Sequence, residues 1–285
     1  MTLKDQTAVI TGGGRGLGRV FAQALADAGA NVVVLGRTQR DLDDAASAIG
    51  HAARAIAADV TDPASVTDAF GQIGPVDILI NNAGILGPIC PFAEADFGEW
   101  WRAMDVNVLG TMACTHAVLP GMIERRRGHI VNIVTGAFSA PYLSPYLASK
   151  TAVIRATECI AVETRAHNVA LFSYAPGTVR TDMSEHSRSS DEGRRWIPWF
   201  QRIFEEGLDL PAERPAAMIV ALASGRYDAL AGLYLSAFDD LDELLAAQSE
   251  IAAGKTHTLQ MRVHKVSPHA SAIGAIRASA SRGRE

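Results

Sequence analysis

A chain of 285 residues with 48% apolar side chains can bury the core of one α/β domain, and a formal net charge of -5 excludes the strongly basic balance of a nucleic-acid-binding protein. Three scattered cysteines, at positions 90, 114 and 159, exclude a disulfide framework and predict a reducing compartment, which we take to be cytoplasmic. The sequence has no apolar signal core, no run of about 18 apolar residues and no metal-ligand spacing among its eight histidines, so we expect neither a membrane anchor nor a metal site.

Apolar β-prone runs alternate with helical patterns along most of the chain. Strands are predicted at 8–10, 31–35, 55–60, 76–80, 128–134, 169–174 and 232–235. Helices are predicted at 19–29, 41–49, from 61 onward, at 92–127, 146–166, 215–224 and 239–253, with one further strand at 258–263. This alternation predicts an α/β fold, a doubly wound parallel sheet with helices on both faces.

The sequence contains no internal repeat and no linker that would divide two domains. We predict one catalytic domain over residues 1–238, an extension over 239–266 and a flexible tail over 267–285. Residues 182–210 break the alternation, and they form either a lid over a binding site or a pair of surface helices. Residues 255–285 carry six Lys or Arg and one acidic residue, so this end is either a solvated terminus or an electrostatic tether to an acidic partner.

A glycine-rich turn joins the first strand to the first helix, and it reads Thr11-Gly12-Gly13-Gly14-Arg15-Gly16-Leu17-Gly18. Gly12 allows a tight turn, and Gly16 lets backbone N–H groups approach a pyrophosphate at the positive end of the helix. Gly18 lets helix and strand pack closely. The turn therefore predicts a dinucleotide site, in which we also include Gly14 and Leu17.

The end of the second strand indicates which dinucleotide is preferred. An acidic residue at this place binds the ribose 2′-hydroxyl of NAD, but the chain has Gly36 there, and Arg37 follows. Arg37 and Arg15 can form charge-assisted bonds to a 2′-phosphate, so we predict NADP(H) in preference to NAD(H). The alternative for each arginine is a solvated surface charge.

Tyr146 and Lys150 lie four residues apart near the start of a helix, so both side chains share one face. A phenol has an ordinary pKa of about 10. A nearby ammonium would favour the phenolate and lower that pKa. The tyrosine could then take a proton from an alcohol, or give one to a carbonyl, near neutral pH.

Taken together and in this order, these motifs resemble the single-domain branch of the short-chain dehydrogenase/reductase family over about residues 5–235. The resemblance implies a Rossmann-like fold and roles for Asn107, which would hold a water linked to Lys150, and for Tyr146 and Lys150 as acid/base and its partner. It also implies a homodimer or homotetramer built on the helices that contain Asn107 and Tyr146. The further cofactor contacts implied by the family's motifs are Asp59, Val60, Asn81, Ala83, Gly84, Pro176, Gly177, Val179 and Thr181.

The chain departs from the family pattern in two places. The family usually has a serine thirteen residues before the tyrosine, where this chain has Ile133. A loop two residues shorter would put Thr135 in the serine's place, and Ser139 and Ser144 are the other hydroxyls of the loop. The usual Asp-Gly-Gly after the last strand is replaced by residues 236–238, which read Ser-Ala-Phe, so the C-terminal wall of the pocket is expected to differ.

These features predict an NADP(H)-dependent oxidoreductase that interconverts a ketone and a secondary alcohol. A largely apolar pocket, suited to a bulky apolar substrate, is predicted from Phe138, Tyr142, Trp196, Trp199 and Phe200. The alternatives are an NADP(H)-binding redox sensor without turnover, and an epimerase or dehydratase that uses the same site. A nucleic-acid partner is not predicted, because aromatic residues do not interleave with the basic charge near the C-terminus.

Overall fold

The computed structural model describes residues 2–254 and 256–260. Its centre is a seven-stranded parallel sheet with the strand order β3-β2-β1-β4-β5-β6-β7. The strands are β1 Thr7–Thr11, β2 Asn31–Gly36, β3 Ala53–Ala57, β4 Ile78–Asn81, β5 Gly128–Ile133, β6 Val169–Ala175 and β7 Tyr234–Ser236. The chain runs outward through β1, β2 and β3, then returns to the other side of β1 with β4. Ligands of open α/β sheets bind above such a switch point, at the carboxyl ends of the strands.

Twelve α-helices surround the sheet in the described part of the chain. They are α1 Gly16–Asp27, α2 Gln39–Ile49, α3 Pro63–Ile73, α4 Phe97–Met104, α5 Gly110–Arg125, α6 Ser144–Thr164, α7 Asp182–Ser189, α8 Asp191–Trp196, α9 Trp199–Glu205, α10 Glu213–Ala223, α11 Leu241–Ala246 and α12 Gln248–Gly254. The predicted doubly wound α/β fold is confirmed.

Each face of the sheet carries its own apolar core, because the side chains of a strand alternate between faces. On one face, Ile10 and Ile80 pack with Phe21 and Leu25 of α1 and Ile219 of α10. On the other face, β-strand residues pack with side chains of α3 and α5, among them Val66, Phe70, Cys114, Val118 and Met122. These two layers hold the strand ends, and hence the site above them, in place.

Three predicted elements differ from the structure. The helix predicted at 239–253 is two short helices, α11 and α12. The helix predicted at 92–127 begins with a 3₁₀ turn at Phe92–Glu94 and passes through a π-helical turn at Asp105–Leu109 between α4 and α5. The strand predicted at 258–263 is wrong at residues 258–260, which form a bend and coil, and its other residues lie outside the described part, as does the proposed tail at 267–285.

One helical stretch of the described chain, Phe97–Arg125, is long and apolar enough by length and composition alone to cross a membrane. This is weak evidence, because the core helices of soluble proteins meet the same criteria. Here the stretch packs against the sheet and α6, and residues such as Ala103, Cys114 and Met122 are fully buried.

Candidate active site

The glycine turn is closed by backbone contacts that leave no space for side chains. A Cβ atom at Gly18 would lie 2.2 Å from the Gly12 carbonyl oxygen, so α1 approaches the turn as closely as the backbone allows. Gly12 and Gly16 have φ angles of 64° and 52°, which glycine adopts without strain. The Asn82 side chain donates to the carbonyl oxygens of Thr11 and Gly12 at 3.0 and 3.3 Å, which ties the turn to the end of β4.

The N-terminus of α1 has the features of an anion site. Arg15 at the N-cap position makes no side-chain cap, and the first turn of α1 contains no acidic residue. The free N–H groups and the positive end of the helix dipole therefore remain for a phosphate. Gly14 and Gly16 are partly or fully exposed beside them. The turn thus fits the pyrophosphate of a dinucleotide by its own geometry.

The predicted adenosine side of the site lies above β2 and β3. Burial raises the pKa of the Asp59 carboxyl, but hydrogen bonds from the Thr61 N–H and hydroxyl, with the charges of Arg37 and Arg102, outweigh it. The net result is a pKa below the ordinary value, so Asp59 is ionised at neutral pH. Arg37 is exposed directly after Gly36, close enough for its charge to be felt at Asp59.

Arg15, the second predicted phosphate ligand, lies 3.9 Å from the carboxylate of Asp182 at the start of α7. Both side chains are mostly exposed, so the pair contributes little to stability. The pair does place the start of the 182–210 insertion beside the glycine turn. A Cβ atom at Gly16 would lie 3.7 Å from the Thr181 side chain.

Lys150 and Tyr146 lie together on α6, as their spacing predicts. The Lys150 Nζ atom is 5.9 Å from the centre of the Tyr146 ring and donates to the Ile133 carbonyl oxygen at 2.7 Å. The lysine is 3% exposed, so this bond to the end of β5 fixes an ammonium group inside the protein. A Cβ atom at Gly84 would lie 3.3 Å from Nζ, which places the turn after β4 against the lysine.

Burial shifts the pKa values of both Tyr146 and Lys150 in the protein without cofactor. It raises the pKa of Tyr146 to about 12 and lowers that of Lys150 to about 8. Without cofactor, the pKa of the phenol therefore lies above its ordinary value, opposite to the shift expected from the ammonium, because burial disfavours the phenolate. At neutral pH the phenol is protonated and the lysine is mostly charged.

Asn107 is fully buried in the π-helical turn and binds two segments at once. Its amide accepts from the Ile85 N–H and donates to the Ile85 carbonyl oxygen, both at 2.9 Å. The same amide donates to the Ser149 hydroxyl at 2.8 Å, and Ser149 donates to the Tyr146 carbonyl oxygen at 2.7 Å. Asn107 thus connects the turn after β4 to the N-terminal part of α6. The water that Asn107 is expected to hold stays a prediction.

Thr135 follows β5 by two residues and is partly buried. The alternative hydroxyls are placed differently: Ser139 is exposed in the loop, and Ser144 is exposed at the start of α6, where it accepts from the Trp100 indole N–H at 3.0 Å. Of the three hydroxyls, Thr135 is therefore the one held at the end of a strand beside the Lys150 anchor.

The predicted pocket aromatics separate into two groups. Tyr142, Trp196 and Phe200 pack with Tyr146 around a buried cluster formed by Ile89, Leu143, Leu147 and Ile197. The rings of Tyr142 and Trp196 are 4.8 Å apart. Phe138 and Trp199 are instead 52% and 40% exposed. The structure therefore brings three of the five predicted aromatics together beside Tyr146.

The insertion at 182–210 consists of α7, α8 and α9, and both of its ends are tied to the turn after β6. Arg180 pairs with Asp209 at 2.8 Å, and the Leu210 N–H donates to the Thr178 carbonyl oxygen at 2.7 Å. The chain between them carries Trp196 and Ile197 onto the Tyr142 side. The insertion therefore contacts the candidate site, and both hypotheses for it, a lid and a pair of surface helices, stay predictions.

Some supporting residues were not predicted from the sequence, and Asn81 was predicted only as a cofactor contact. Ser149 lies within the Tyr-x-x-x-Lys segment, but no local pattern indicates its bond to Asn107. Below the site, Asn81, Asn132 and Thr157 form a buried chain of hydrogen bonds across β4, β5 and α6. Polar residues in otherwise apolar strands were a signal for this network, but their partners come from distant segments.

Fold and site together define a dinucleotide-binding α/β protein, and the similarity of the chain to known proteins agrees with this class. The family model described as short chain dehydrogenase matches residues 6–192. A short chain dehydrogenase of Pseudocercospora fijiensis is 32% identical over 270 residues, 89% of this chain and 86% of the relative. A gluconate 5-dehydrogenase of Gluconobacter oxydans is 38% identical over 205 residues, 69% and 80% of the two chains. The structure of a variant actinorhodin polyketide ketoreductase with NADPH matches at a TM-score of 0.73 and 29% identity, covering 83% of this chain and 97% of that one.

The chain therefore belongs to the short-chain dehydrogenase/reductase family. It is an oxidoreductase of a family that binds NAD(P) and acts on small molecules.

Proposed function

We propose that the protein is an NADP(H)-dependent oxidoreductase that interconverts a ketone and a secondary alcohol. The observation that carries this proposal is the buried Tyr146–Lys150 pair, with Lys150 fixed on the Ile133 carbonyl oxygen. A phenol held beside a charged lysine is a proton donor with a defined position. The named ketoreductase among the structural relatives supports the same chemistry.

The roles of the residues follow from their chemistry. In ketone reduction, the Tyr146 hydroxyl gives its proton to the carbonyl oxygen, and its pKa of about 12 keeps it protonated beforehand. Thr135 donates a second hydrogen bond to that oxygen. Lys150 uses one N–H for Ile133 and has two others for the cofactor ribose and a water. The cofactor, when bound, would supply two electrons to the carbonyl carbon of the ketone or accept two electrons from the corresponding carbon of the alcohol.

The cofactor would lie along the carboxyl ends of β1, β2 and β4. The free N-terminus of α1 suits its pyrophosphate, and the remaining contacts assigned to it come from Asp59, Val60, Asn81, Ala83, Gly84, Pro176, Gly177, Val179 and Thr181. Arg37 beside Gly36 would bind a 2′-phosphate, and we base the proposed preference for NADP(H) on this contact. Arg15 would first have to exchange its contact with Asp182 for the phosphate.

We propose a bulky apolar substrate, because the aromatic side chains of Tyr142, Trp196 and Phe200 pack in one cluster with Tyr146. The name of the gluconate 5-dehydrogenase relative suggests a small polar substrate as the second candidate. Polar recognition of a sugar acid needs several hydrogen-bonding side chains near the reacting oxygen. The cluster of Ile89, Leu143, Leu147 and Ile197 beside Tyr146 offers none and therefore favours the apolar class.

We also propose a homodimer or homotetramer. Large apolar side chains remain exposed on the α4 side of the molecule: Phe92, Phe97, Trp101 and Leu109 are 61%, 65%, 50% and 42% exposed. Val162 of α6 is 53% exposed near the same layer of helices. Exposed large apolar side chains of this kind are typical of a protein interface, and a second copy of the chain would cover them.

The experiment is turnover of a carbonyl panel with NADPH, followed at the absorbance of the reduced nicotinamide, for the parent and Tyr146→Phe. The panel contains aromatic and polycyclic ketones beside small sugar acids. We expect kcat/KM to be highest for bulky ketones. Tyr146→Phe should abolish turnover and leave cofactor affinity nearly intact, because only the hydroxyl is lost.

Substantial activity of Tyr146→Phe would overturn the mechanism. Equal rates on bulky ketones and small sugar acids would overturn the substrate class. Tight NADPH binding without turnover of any carbonyl would favour a redox sensor, and loss of water or inversion at a carbon with no net change in NADPH would favour a dehydratase or an epimerase.

A further inference from the structure

Residues 256–260 lie along the outer edge of β7. The Tyr234 N–H, at the start of that strand, donates to the His257 carbonyl oxygen at 2.7 Å. His257 has a φ of 58°, a left-handed conformation that non-glycine residues seldom adopt. The segment is therefore held in place by contacts with the rest of the molecule, since its local preference opposes this conformation.

Two charged residues of α6 hold the next part of the segment. The Leu259 N–H donates to the Glu158 carboxylate at 2.6 Å, and the Arg155 guanidinium donates to the Leu259 carbonyl oxygen. Arg155 and Glu158 also pair with each other, and the Glu158 side chain is only 11% exposed. Charge-assisted bonds on both sides of one residue fix its backbone and direct its side chain.

The Leu259 side chain packs against a small apolar cluster formed by Val134, Val153, Ile154 and Ala175, which we call the supporting cluster. Val108 packs against the same cluster. Its members are chain neighbours of the candidate site residues: Val134 precedes Thr135, and Ala175 precedes Pro176. Val153 and Ile154 lie one turn after Lys150, and Val108 follows Asn107. The cluster and the residues packed against it thus include chain neighbours of Thr135, Lys150 and Asn107.

The residues directly after Thr135 are loosely packed, whereas Tyr142 and Leu143 further along the loop belong to the cluster beside Tyr146. A cavity of about 160 Å³ lies beside Gly136 and Ala137, and its other walls are Ile154, Tyr234 and residues 257–259. The exposed Phe138 and Ser139 come next. The position of Thr135 therefore depends on Val134 and on what packs against the supporting cluster.

We propose that residues 256–260 form a strap that positions the catalytic loop, and that Leu259 is its positioning residue. The strap closes the supporting cluster from outside the sheet and so holds Thr135 at the distance its hydrogen bond requires. This inference rests on the proposed function. It explains why the chain continues past β7 with α11 and α12 before returning to the sheet edge.

The test compares Leu259→Ala with Leu259→Met and with the control Leu245→Ala in the full-length protein. Leu245 is also a partly buried leucine of the C-terminal extension, but it packs against the large core on the other side of the sheet. The three readouts are kcat for the best ketone of the panel, the Kd of NADPH by fluorescence titration, and amide hydrogen exchange of the peptide that contains residues 134–138.

Leu259→Ala should lower kcat about tenfold or more, because small displacements of a positioned group reduce rates steeply. It should leave the Kd of NADPH within about twofold and speed hydrogen exchange at 134–138. Leu259→Met should restore most of the rate, since methionine fills a similar volume. Leu245→Ala should lower thermal stability without these changes.

Parental kcat in Leu259→Ala, or an equal loss of kcat in Leu245→Ala, would overturn the strap. If the parent reduces no carbonyl, the proposed function fails, and hydrogen exchange alone then decides the strap. Faster exchange at 134–138 in Leu259→Ala but not in Leu245→Ala supports it, and unchanged exchange contradicts it.

Discussion

The proposed cofactor side and the proposed substrate side of the site are built in different ways. The cofactor side is a backbone structure: the turn at 11–18 is closed by glycines, and a Cβ atom at Gly18 would lie 2.2 Å from a carbonyl oxygen. The substrate side is a side-chain structure, in which Ile89, Leu143, Leu147 and Ile197 come from separate segments. A backbone site recognises what all dinucleotides share, whereas a side-chain site determines which substrate is accepted.

The two sides should tolerate amino-acid substitutions to different degrees. The side chains of the cluster on the proposed substrate side can change without altering the sheet, because they lie outside the two cores that flank it. Gly13 and Gly18, by contrast, cannot accept a side chain without moving nearby backbone atoms. Substitutions should therefore separate into those that change rate and those that change binding or stability.

After the loss of turnover expected for Tyr146→Phe, the largest effect is expected at Thr135. Removing one preorganised donor to a developing oxyanion typically costs on the order of 10² to 10³ in kcat. Thr135→Val keeps the shape of the side chain and removes the donor, so kcat should fall by about that factor while the thermal midpoint stays close to that of the parent. Steady-state kinetics and thermal unfolding of the same preparation measure both.

Thr135→Ser is the matched control and should keep most of the activity, because the hydroxyl is retained. A fast Thr135→Val together with a slow Ser139→Ala or Ser144→Ala would move the donor along the loop. Three fast variants would exclude a side-chain hydroxyl as the second donor.

The next effect concerns the glycine turn. An alanine at Gly18 must displace the Gly12 carbonyl, and overpacking of this kind costs about 1–3 kcal/mol. We expect Gly18→Ala to lower the free energy of unfolding in urea and to weaken NADPH binding. Gly71→Ala is the control, because Gly71 lies within α3 and a Cβ atom there meets nothing within 4 Å. It should be neutral or should stabilise by about 0.5–1 kcal/mol. Equal stabilities of the two variants would contradict a sterically closed turn.

The last of these effects concerns Arg37 and is confined to cofactor binding. A charge-assisted contact contributes about 1.5–3 kcal/mol, so Arg37→Ala should weaken NADPH binding about tenfold or more and leave NADH binding almost unchanged. Isothermal titration with both cofactors measures the ratio. Arg54→Ala removes an equally exposed arginine whose partner is the Gln72 carbonyl oxygen, and it should change neither affinity. An unchanged preference in Arg37→Ala would remove this residue from the cofactor site.

Much of the cofactor side was predictable, because its signals are local. The turn at 11–18, the ends of the strands and the spacing of Tyr146 and Lys150 follow from periodicity and from the special conformations of glycine. The direction of the pKa shift of Tyr146 was not predictable. It depends on how deeply the phenol is buried, and the packing of Trp196 and its neighbours sets that depth.

The sequence by itself determined the parallel sheet, the dinucleotide turn and the placement of Tyr146 and Lys150 on one helical face, since each depends on residues close together in the chain. Only the tertiary structure decided that Tyr142 meets Trp196, that Asn107 binds Ser149 from a π-helical turn, and that Leu259 closes the supporting cluster. These contacts join segments that are tens of residues apart. Their formation depends on complementary packing across the whole fold, which no local pattern of residues encodes.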